Sequence, residues 1–324
     1  MAHPLKFSLV VVVLALAAAE AAAQARAGDP ATLTPSPFAA AFARLDEAVA
    51  QKVVGADDAP SRYVSGRLSG FDLAGQARDF ALAHAQAPKE PLYMAALADT
   101  CLRPASPQPR ECAERDPIAY FAARDTENAV PWLLQAERAR RRNATAAMID
   151  HLERAAKSTR FDDYGSRAGA IWWTVISAAS APADRTAAAL HAMIVPAATG
   201  VLGALEALCA PSTRGLDARV NAACLRVGGL MAERAPSYVD RRAGVQTALA
   251  AATTDSGRAA AQAVARDIVA AQERCREAQG ALEKLAAGDA AAQSRAAGAA
   301  ERFLVERARG GDTAACSALA EAVR

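Results

Sequence analysis

Residues 125–158 read DTENAVPWLLQAERARRRNATAAMIDHLERAAKS. Asn128 is of the residue type that caps a helix start. Ala129, Trp132, Ala136 and Ala139 follow at spacings of three and four, so they share one face of a helix. Asn143 sits at the break, as a turn-forming residue between two helices. Met148, Leu152 and Ala155 then form the facing stripe of a second helix. Two short helices joined by so brief a turn must run antiparallel. No alternation of β-branched residues appears along the chain, so the expected fold is all-α.

The spacing resembles one tetratricopeptide repeat, a unit of about 34 residues. Trp132 stands where that repeat has an aromatic near the start of its first helix. Ala136 and Ala155 stand at the crossing, Asn143 at the turn and Leu152 on the second helix. The chain departs from the pattern in three places. Ala136 replaces the glycine of the close crossing, Met148 replaces an alanine, and Arg160 lies where the terminal proline belongs. One repeat cannot bury its own face, so neighbouring hairpins must cover it. The resemblance implies stacked antiparallel hairpins, a tetratricopeptide-like or irregular α-solenoid arrangement, and partner binding.

Working outward toward the N-terminus, Phe38, Phe42, Leu45, Val49 and Val53 mark a helix opened by Ser36 and Pro37. GADDAPSRYVSG, at 55–66, reads as a loop. A helix from about Phe71 to Ala87 ends at Pro88 and Pro91, and a short one covers Leu92 to Leu102. Asp116 and Pro117 open another. Toward the C-terminus, Asp162 or Asp163 of the FDDY segment caps a helix carrying Ile171, Trp172, Val175 and Ile176. Pro182 ends it, and Asp184 or Thr186 starts a helix that Pro196 interrupts. Val201 to Leu208 continues the apolar face, and Pro211 to Gly215 reads as a loop. Val220 to Met231 is helical, and Ser237 caps Tyr238 to Ala252. From Thr254 the chain is nearly all helix-forming, with turns at Gly288-Asp289 and Gly310-Gly311-Asp312. Large apolar residues are scarce after Gly288, so a loosely held tail tied down by Cys316 is expected.

The first residues set the compartment. MAHPLK precedes the apolar run FSLVVVVLALAAA, which gives way to further alanines. This is the pattern of a signal peptide, taken as 1–25 and cleaved, followed by a flexible leader at 26–35. The run is shorter than the roughly 20 residues of a spanning helix, and no later stretch is a candidate, so no membrane span is expected in the mature chain. The location implied is periplasmic or secreted. Six cysteines in an oxidising compartment imply three disulfides. Sequential pairing is expected: Cys101–Cys112, Cys209–Cys224 and Cys275–Cys316. No cysteine pair has zinc-knuckle spacing, so no metal is expected. The remainder divides into an N-terminal helical region at 36–180, which holds the repeat-like hairpin, and an alanine-rich region at 181–324.

Chemistry is sparse. Lysine and arginine number 37 against 35 acids, a balance that predicts no nucleic-acid partner. No phosphate-binding loop, dinucleotide fingerprint, nucleophile elbow or His-Glu-x-x-His motif occurs, so neither a catalytic residue nor a cofactor is expected. Gly229-Leu230-Met231-Ala232 is similar to a segment of lytic transglycosylases, but it lacks the glutamine and no Glu-Ser pair precedes it. Asp150, His151 and Glu153 read as a solvated helix surface rather than an acid–base pair. Trp172 and Trp173 lie about 100° apart on a helix. One belongs to the core, which leaves Trp173 as a candidate partner anchor, against the plainer reading of core or groove lining. Arg140, Arg141 and Arg142 form a second candidate contact, against the plainer reading of a solvated helix end. The leading function is a non-catalytic interaction or scaffold protein of the bacterial cell envelope, bound to an envelope protein. An enzyme with a site assembled from distant residues, and a passive structural or secreted protein, are the alternatives.

Overall fold

A computed structural model describes residues 39–181, 184–193 and 200–324. The expected signal peptide and leader, Ser36, Pro37, Phe38, Pro182 and the interruption at Pro196 lie outside the described residues. Among those described there is no strand, and the helices follow one another closely. The N-terminal series is α1 (Ala39–Val53), α2 (Ala59–Leu68), α3 (Leu73–Gln86), α4 (Pro91–Leu102), α5 (Arg110–Arg115) and α6 (Pro117–Arg124). The central series is α7 (Ala129–Arg141), α8 (Thr145–Lys157), α9 (Gly165–Ala179) and α10 (Arg185–Met193). The last is α11 (Val201–Leu208), α12 (Pro211–Arg214), α13 (Ala218–Arg234), α14 (Tyr238–Ala251), α15 (Asp255–Ala286) and α16 (Ala290–Ala322).

Local chemistry sets the helix starts. Asp58 accepts a hydrogen bond from the Ser61 amide at 2.9 Å, and Pro60 supplies a φ suited to the first turn. The segment read as a loop at 55–66 is therefore mostly helix α2, and it buries Tyr63 and Val64. The loop reading weighed the glycine and proline content and missed that Asp-Ala-Pro-Ser is a helix start. Pro211 likewise opens the single turn α12 inside the stretch read as a loop. Asp72, Asp116, Asn128, Asp217, Thr254 and Asp289 cap the helices that follow them with side-chain oxygens.

Consecutive helices pack as antiparallel neighbours through α2–α3–α4, α7–α8 and α13–α14–α15–α16. Two longer-range contacts close the structure. Helix α8 lies against α13, and α16 returns to pack on α9 and α10. A regular solenoid, whose units touch only their neighbours, lacks that closure. The apolar core runs without a break from Leu45 in α1 to Leu319 in α16. The tail is not loosely held. Phe303, Leu304 and Leu319 are buried, and alanines at 296, 299, 300 and 315 let α16 sit close to its neighbours. Small residues carry this packing, which a count of large side chains misses.

The cysteines form three disulfides, Cys101–Cys112, Cys209–Cys224 and Cys275–Cys316, with Cα–Cα separations of 5.3, 5.7 and 5.0 Å. They join α4 to α5, the end of α11 to α13, and α15 to α16. No described helix is long and apolar enough to cross a membrane.

Candidate functional site

The hairpin at 125–158 forms as α7 and α8, with Asn143 at a φ of 57° in the turn. Ala136, Leu152 and Ala155 are fully buried at the crossing. Trp132 lies half-buried at the edge. Its indole N–H donates to the Thr126 carbonyl at 3.0 Å, its ring stacks on His151 with centroids 6.2 Å apart, and the Arg154 guanidinium sits over its face. Burial, with Arg154 and Arg138 nearby, holds the His151 imidazole below its ordinary pKa, so its Asp150–Glu153 neighbourhood does not make it a cation at neutral pH.

The two contact candidates fare differently from expectation. Trp173 is only 8 % exposed and Trp172 only 7 %, because α9 is covered on several sides by α1, α2, α10 and α16. Trp173 is thus a core residue and offers no exposed anchor. Arg140 and Arg141 both bond the carboxylate of Glu137, at 2.6 Å each, and Arg141 also donates to the Leu102 carbonyl. Glu137 is buried, and burial alone would raise its pKa. The two guanidinium hydrogen bonds outweigh that and hold it below its usual value. These two arginines neutralise an internal acid; Arg141 and Arg142 are exposed, and Arg140 is half-buried.

The more distinctive arrangement lies where the end of this hairpin meets the C-terminal helices. Asn128 ties the two ends of the hairpin together. Its amide donates to Asp125 and to the Asp162 carbonyl, both at 2.8 Å, and its oxygen accepts from the Asp162 amide at 3.0 Å. The FDDY loop is held in place from this side. From it, Tyr164 turns into α9 with a φ of 62°, and the Asp163 carboxylate accepts from the Gly165 amide at 2.9 Å.

From the other side comes the kink in α16. Gly311 has a φ of 73°, and a Cβ there would stand 2.5 Å from the Pro236 carbonyl oxygen. Only glycine permits that approach. The kink delivers Asp312, whose amide donates to the Pro236 oxygen at 2.7 Å. One Asp312 carboxylate oxygen accepts from Arg307 Nε at 2.8 Å, and the other from the Tyr238 amide at the start of α14. At the same helix start Ser237 and Asp240 form a reciprocal cap, with Ser237 Oγ accepting from the Asp240 amide and donating to its carboxylate at 2.6 Å.

Between these parts lies a pocket of about 380 Å³. Five arginines line it: Arg167 from α9, Arg234 and Arg241 from the α13–α14 junction, and Arg307 and Arg309 from α16. Asp162 and Glu233 are the acids of its wall. Ser166, buried at the first turn of α9, also lines it, and its hydroxyl has no hydrogen-bond partner. Asp163 and Asp240 are buried nearby. One oxygen of each carboxylate is likewise unpartnered. Burial, and then the charge of Asp240, pushes the Asp163 carboxyl up to about 8. Burial pushes Asp240 up to about 6, against the hydrogen bond from Ser237 and with Asp312 adding to the rise. Both acids therefore take up protons more readily than an ordinary aspartate, and they add little negative charge to the basic pocket in weakly acidic solution.

Among the described residues no group of histidine, cysteine and acidic side chains is arranged to hold a metal. Sequence alone marks Asp162 and Asp163 as helix-cap candidates, Ser237 as a cap and Gly310–Asp312 as a turn. The arginines carried no local signal, because they come from three distant segments. Compared with known proteins, the chain matches no family model, no curated protein and no solved structure.

Proposed function

We propose that the chain is a non-catalytic binding protein of the bacterial cell envelope. In this reading a disulfide-stapled stack of helical hairpins, tetratricopeptide-like at α7–α8, presents the basic pocket to an acidic group on its partner. The observation that carries it is the convergence of five arginines on one pocket beside a buried, unpartnered Ser166 hydroxyl. Guanidinium forks match carboxylate and phosphate oxygens, and a buried hydroxyl without a partner is costly unless something completes it. Three disulfides fit an extracytoplasmic location.

The test is a pull-down from the native envelope under non-reducing conditions, comparing the chain with Arg234→Glu. Arg234 is exposed and makes no ion pair among the described residues, so its reversal leaves the fold intact. The expected result is a stoichiometric partner that is released by raised salt and lost with Arg234→Glu. A partner held equally by both proteins would remove the pocket from the interaction.

An enzymatic reading has one observation in its favour, the pair of proton-retaining acids Asp163 and Asp240 beside a pocket. Asp163 is only 1 % exposed and is not among the residues that line the pocket, so a bound substrate does not meet it directly.

A further inference from the structure

The composition of the pocket narrows the ligand. No aromatic side chain lines it, and its apolar wall is only Ala235, Pro236, Ala308 and glycine backbone. There is no ring for a nucleobase or aromatic acid to stack on and no broad apolar face of the kind that holds drug-like ligands. At about 380 Å³ the space exceeds what a lone oxyanion fills.

The donors are divided between fixed and free. Arg307 is committed: Nε donates to Asp312 and Nη1 to the Met193 carbonyl at 2.9 Å. It supplies a positioned charge. Arg241 spends its Nε on the Ala232 carbonyl at 2.9 Å and keeps its terminal nitrogens. Arg309 reaches Glu306 through one terminal nitrogen at 3.3 Å. Arg167 meets Glu90 at a long 3.5 Å, and Arg234 has no ion-pair partner among the described residues. Several forks on one space suit a group that offers more than two terminal oxygens. A phosphate monoester offers three and carries close to two charges at neutral pH, whereas a carboxylate offers two oxygens and one charge.

We propose that the pocket binds a phosphate monoester carried on a small hydroxylated body, such as a glycerol or sugar phosphate, with Arg234, Arg241 and Arg309 on the phosphate and Ser166 Oγ completing its hydrogen bonding on a ligand oxygen. This rests on the pocket-binding reading above and names its ligand chemistry. The protonated state of Asp163 and Asp240 at mildly acidic pH removes charge that would otherwise oppose such a ligand.

The experiment is titration calorimetry on the full, oxidised chain with glycerol 3-phosphate, with glycerate as the carboxylate of similar body and glycerol as the uncharged control. Glycerol 3-phosphate should bind at least about tenfold tighter than glycerate, and glycerol should give no heat. Arg234→Glu should weaken binding by at least about tenfold. Ser166→Ala should weaken it by roughly tenfold or more, the scale of one hydrogen bond to a charged group. Thermal melts that match the unmodified chain establish that both variants fold. A second arm sediments the chain with vesicles containing phosphatidic acid, whose headgroup is the same monoester. Binding in either arm supports the chemistry and tells a free ligand from a lipid headgroup.

Equal affinity for glycerate, lost with Arg234→Glu, would overturn the monoester while leaving an anion pocket. No binding of either probe, in solution or on vesicles, would also overturn it. An Arg234-dependent protein partner would then keep the broader reading, and its absence would end both.

Discussion

Two hairpins of this molecule reach close packing by opposite means. In α7–α8 the crossing is made by side chains: Ala136 and Ala155 at the contact, Leu152 beside them and Trp132 closing the edge over His151. In α13–α14 the crossing is made by backbone. A Cβ added to Gly228 would stand 2.6 Å from the Ala248 amide nitrogen, and one on Gly244 would stand 2.5 Å from the Ala232 amide nitrogen. The two glycines face each other, since each of these hypothetical atoms also meets the carbonyl oxygen of the other glycine, at 2.8 and 2.7 Å. The first hairpin repeats apolar side chains at helical spacing, while the second conceals its contact in residues with no side chain. Helix contact and hydrophobic pattern are therefore separable, and the more intimate of these two contacts is the quieter in sequence.

The sharpest way to break the comparison is to give the second hairpin a side chain. Gly228→Leu or Gly244→Leu should prevent α13 and α14 from meeting at all, and we expect no cooperative unfolding transition. Gly244→Ala is the graded version. On an isolated helix it would stabilise by up to about 1 kcal/mol. Here the new methyl meets backbone on the partner helix, which cannot rotate away, so a net loss of about 1–3 kcal/mol is expected. The reverse change in the other hairpin, Ala136→Gly, should cost roughly 1 kcal/mol through helix propensity and a small loss of packing. Thermal or urea melts of the oxidised proteins measure both. A Gly244→Ala chain as stable as the original would mean that the two helices sit further apart than described.

The same contrast explains what could be read in advance. The all-α class followed from the spacing of Trp132, Met148 and Leu152 and from the lack of β alternation. Asn143 and Ser237 announced a turn and a cap through side chains that act on backbone close by in sequence. The cysteine pairs could be guessed because each closes a plausible connection between adjacent helices. Helix α2 was missed because a helix start and a loop share the same residue types, and only the order Asp58, Ala59, Pro60, Ser61 separates them. The pocket was hidden for a different reason. Arg167, Arg234 and Arg307 are unremarkable in their own segments, and they converge only because Gly311 lets α16 kink onto Pro236. Trp173 misled because two adjacent tryptophans must point apart, but α9 is enclosed on more than one side and buries both.

Electrostatics separates the two hairpins as well, and pH can sharpen that difference. Acids at the mouth of α7–α8 are partnered: Asp125 accepts from Asn128, Tyr164 and Arg160. At the start of α14 and the adjoining loop, Asp163 and Asp240 each leave one oxygen unpartnered. Asp163 feels Asp162 in its own loop, Asp240 from α14 and Arg307 from α16, and its charge in turn acts on the buried Tyr63 of α2. Its folded pKa of about 8 lies above the unfolded value near 3.9. The folded state therefore holds a proton that the unfolded chain releases. Stability should fall as pH rises from about 4 to about 8 and stay low above that. Asp163→Asn keeps the oxygen that accepts from Gly165 and removes the titration. It should change little near pH 4 and stabilise by several kcal/mol at pH 9, the scale of a roughly four-unit difference at about 1.4 kcal/mol per unit. Asp240 would leave a residual slope at lower pH. Denaturant melts across this range test it, and parallel curves for the two proteins would show that Asp163 is not the source of the dependence.

The smallest expected effect probes the edge of the side-chain hairpin. Trp132 contributes a ring stacked on His151, a face under Arg154 and a hydrogen bond to Thr126. Trp132→Phe keeps an aromatic face but removes the N–H, which leaves the Thr126 carbonyl to water at a half-exposed edge. The hydrogen bond is worth about 1 kcal/mol in such a setting, and the smaller ring covers His151 less well. Overall loss should stay near 1 kcal/mol, because the crossing itself rests on Ala136, Leu152 and Ala155. His151 provides an independent reading. Its imidazole is held down first by burial, so a smaller ring that admits water should let its pKa move back toward the ordinary value. Proton NMR titration of that histidine would follow the change. A large stability loss with an unmoved His151 would mean that Trp132 supports the hairpin through something other than this stack, and the division between crossing and edge would have to be redrawn.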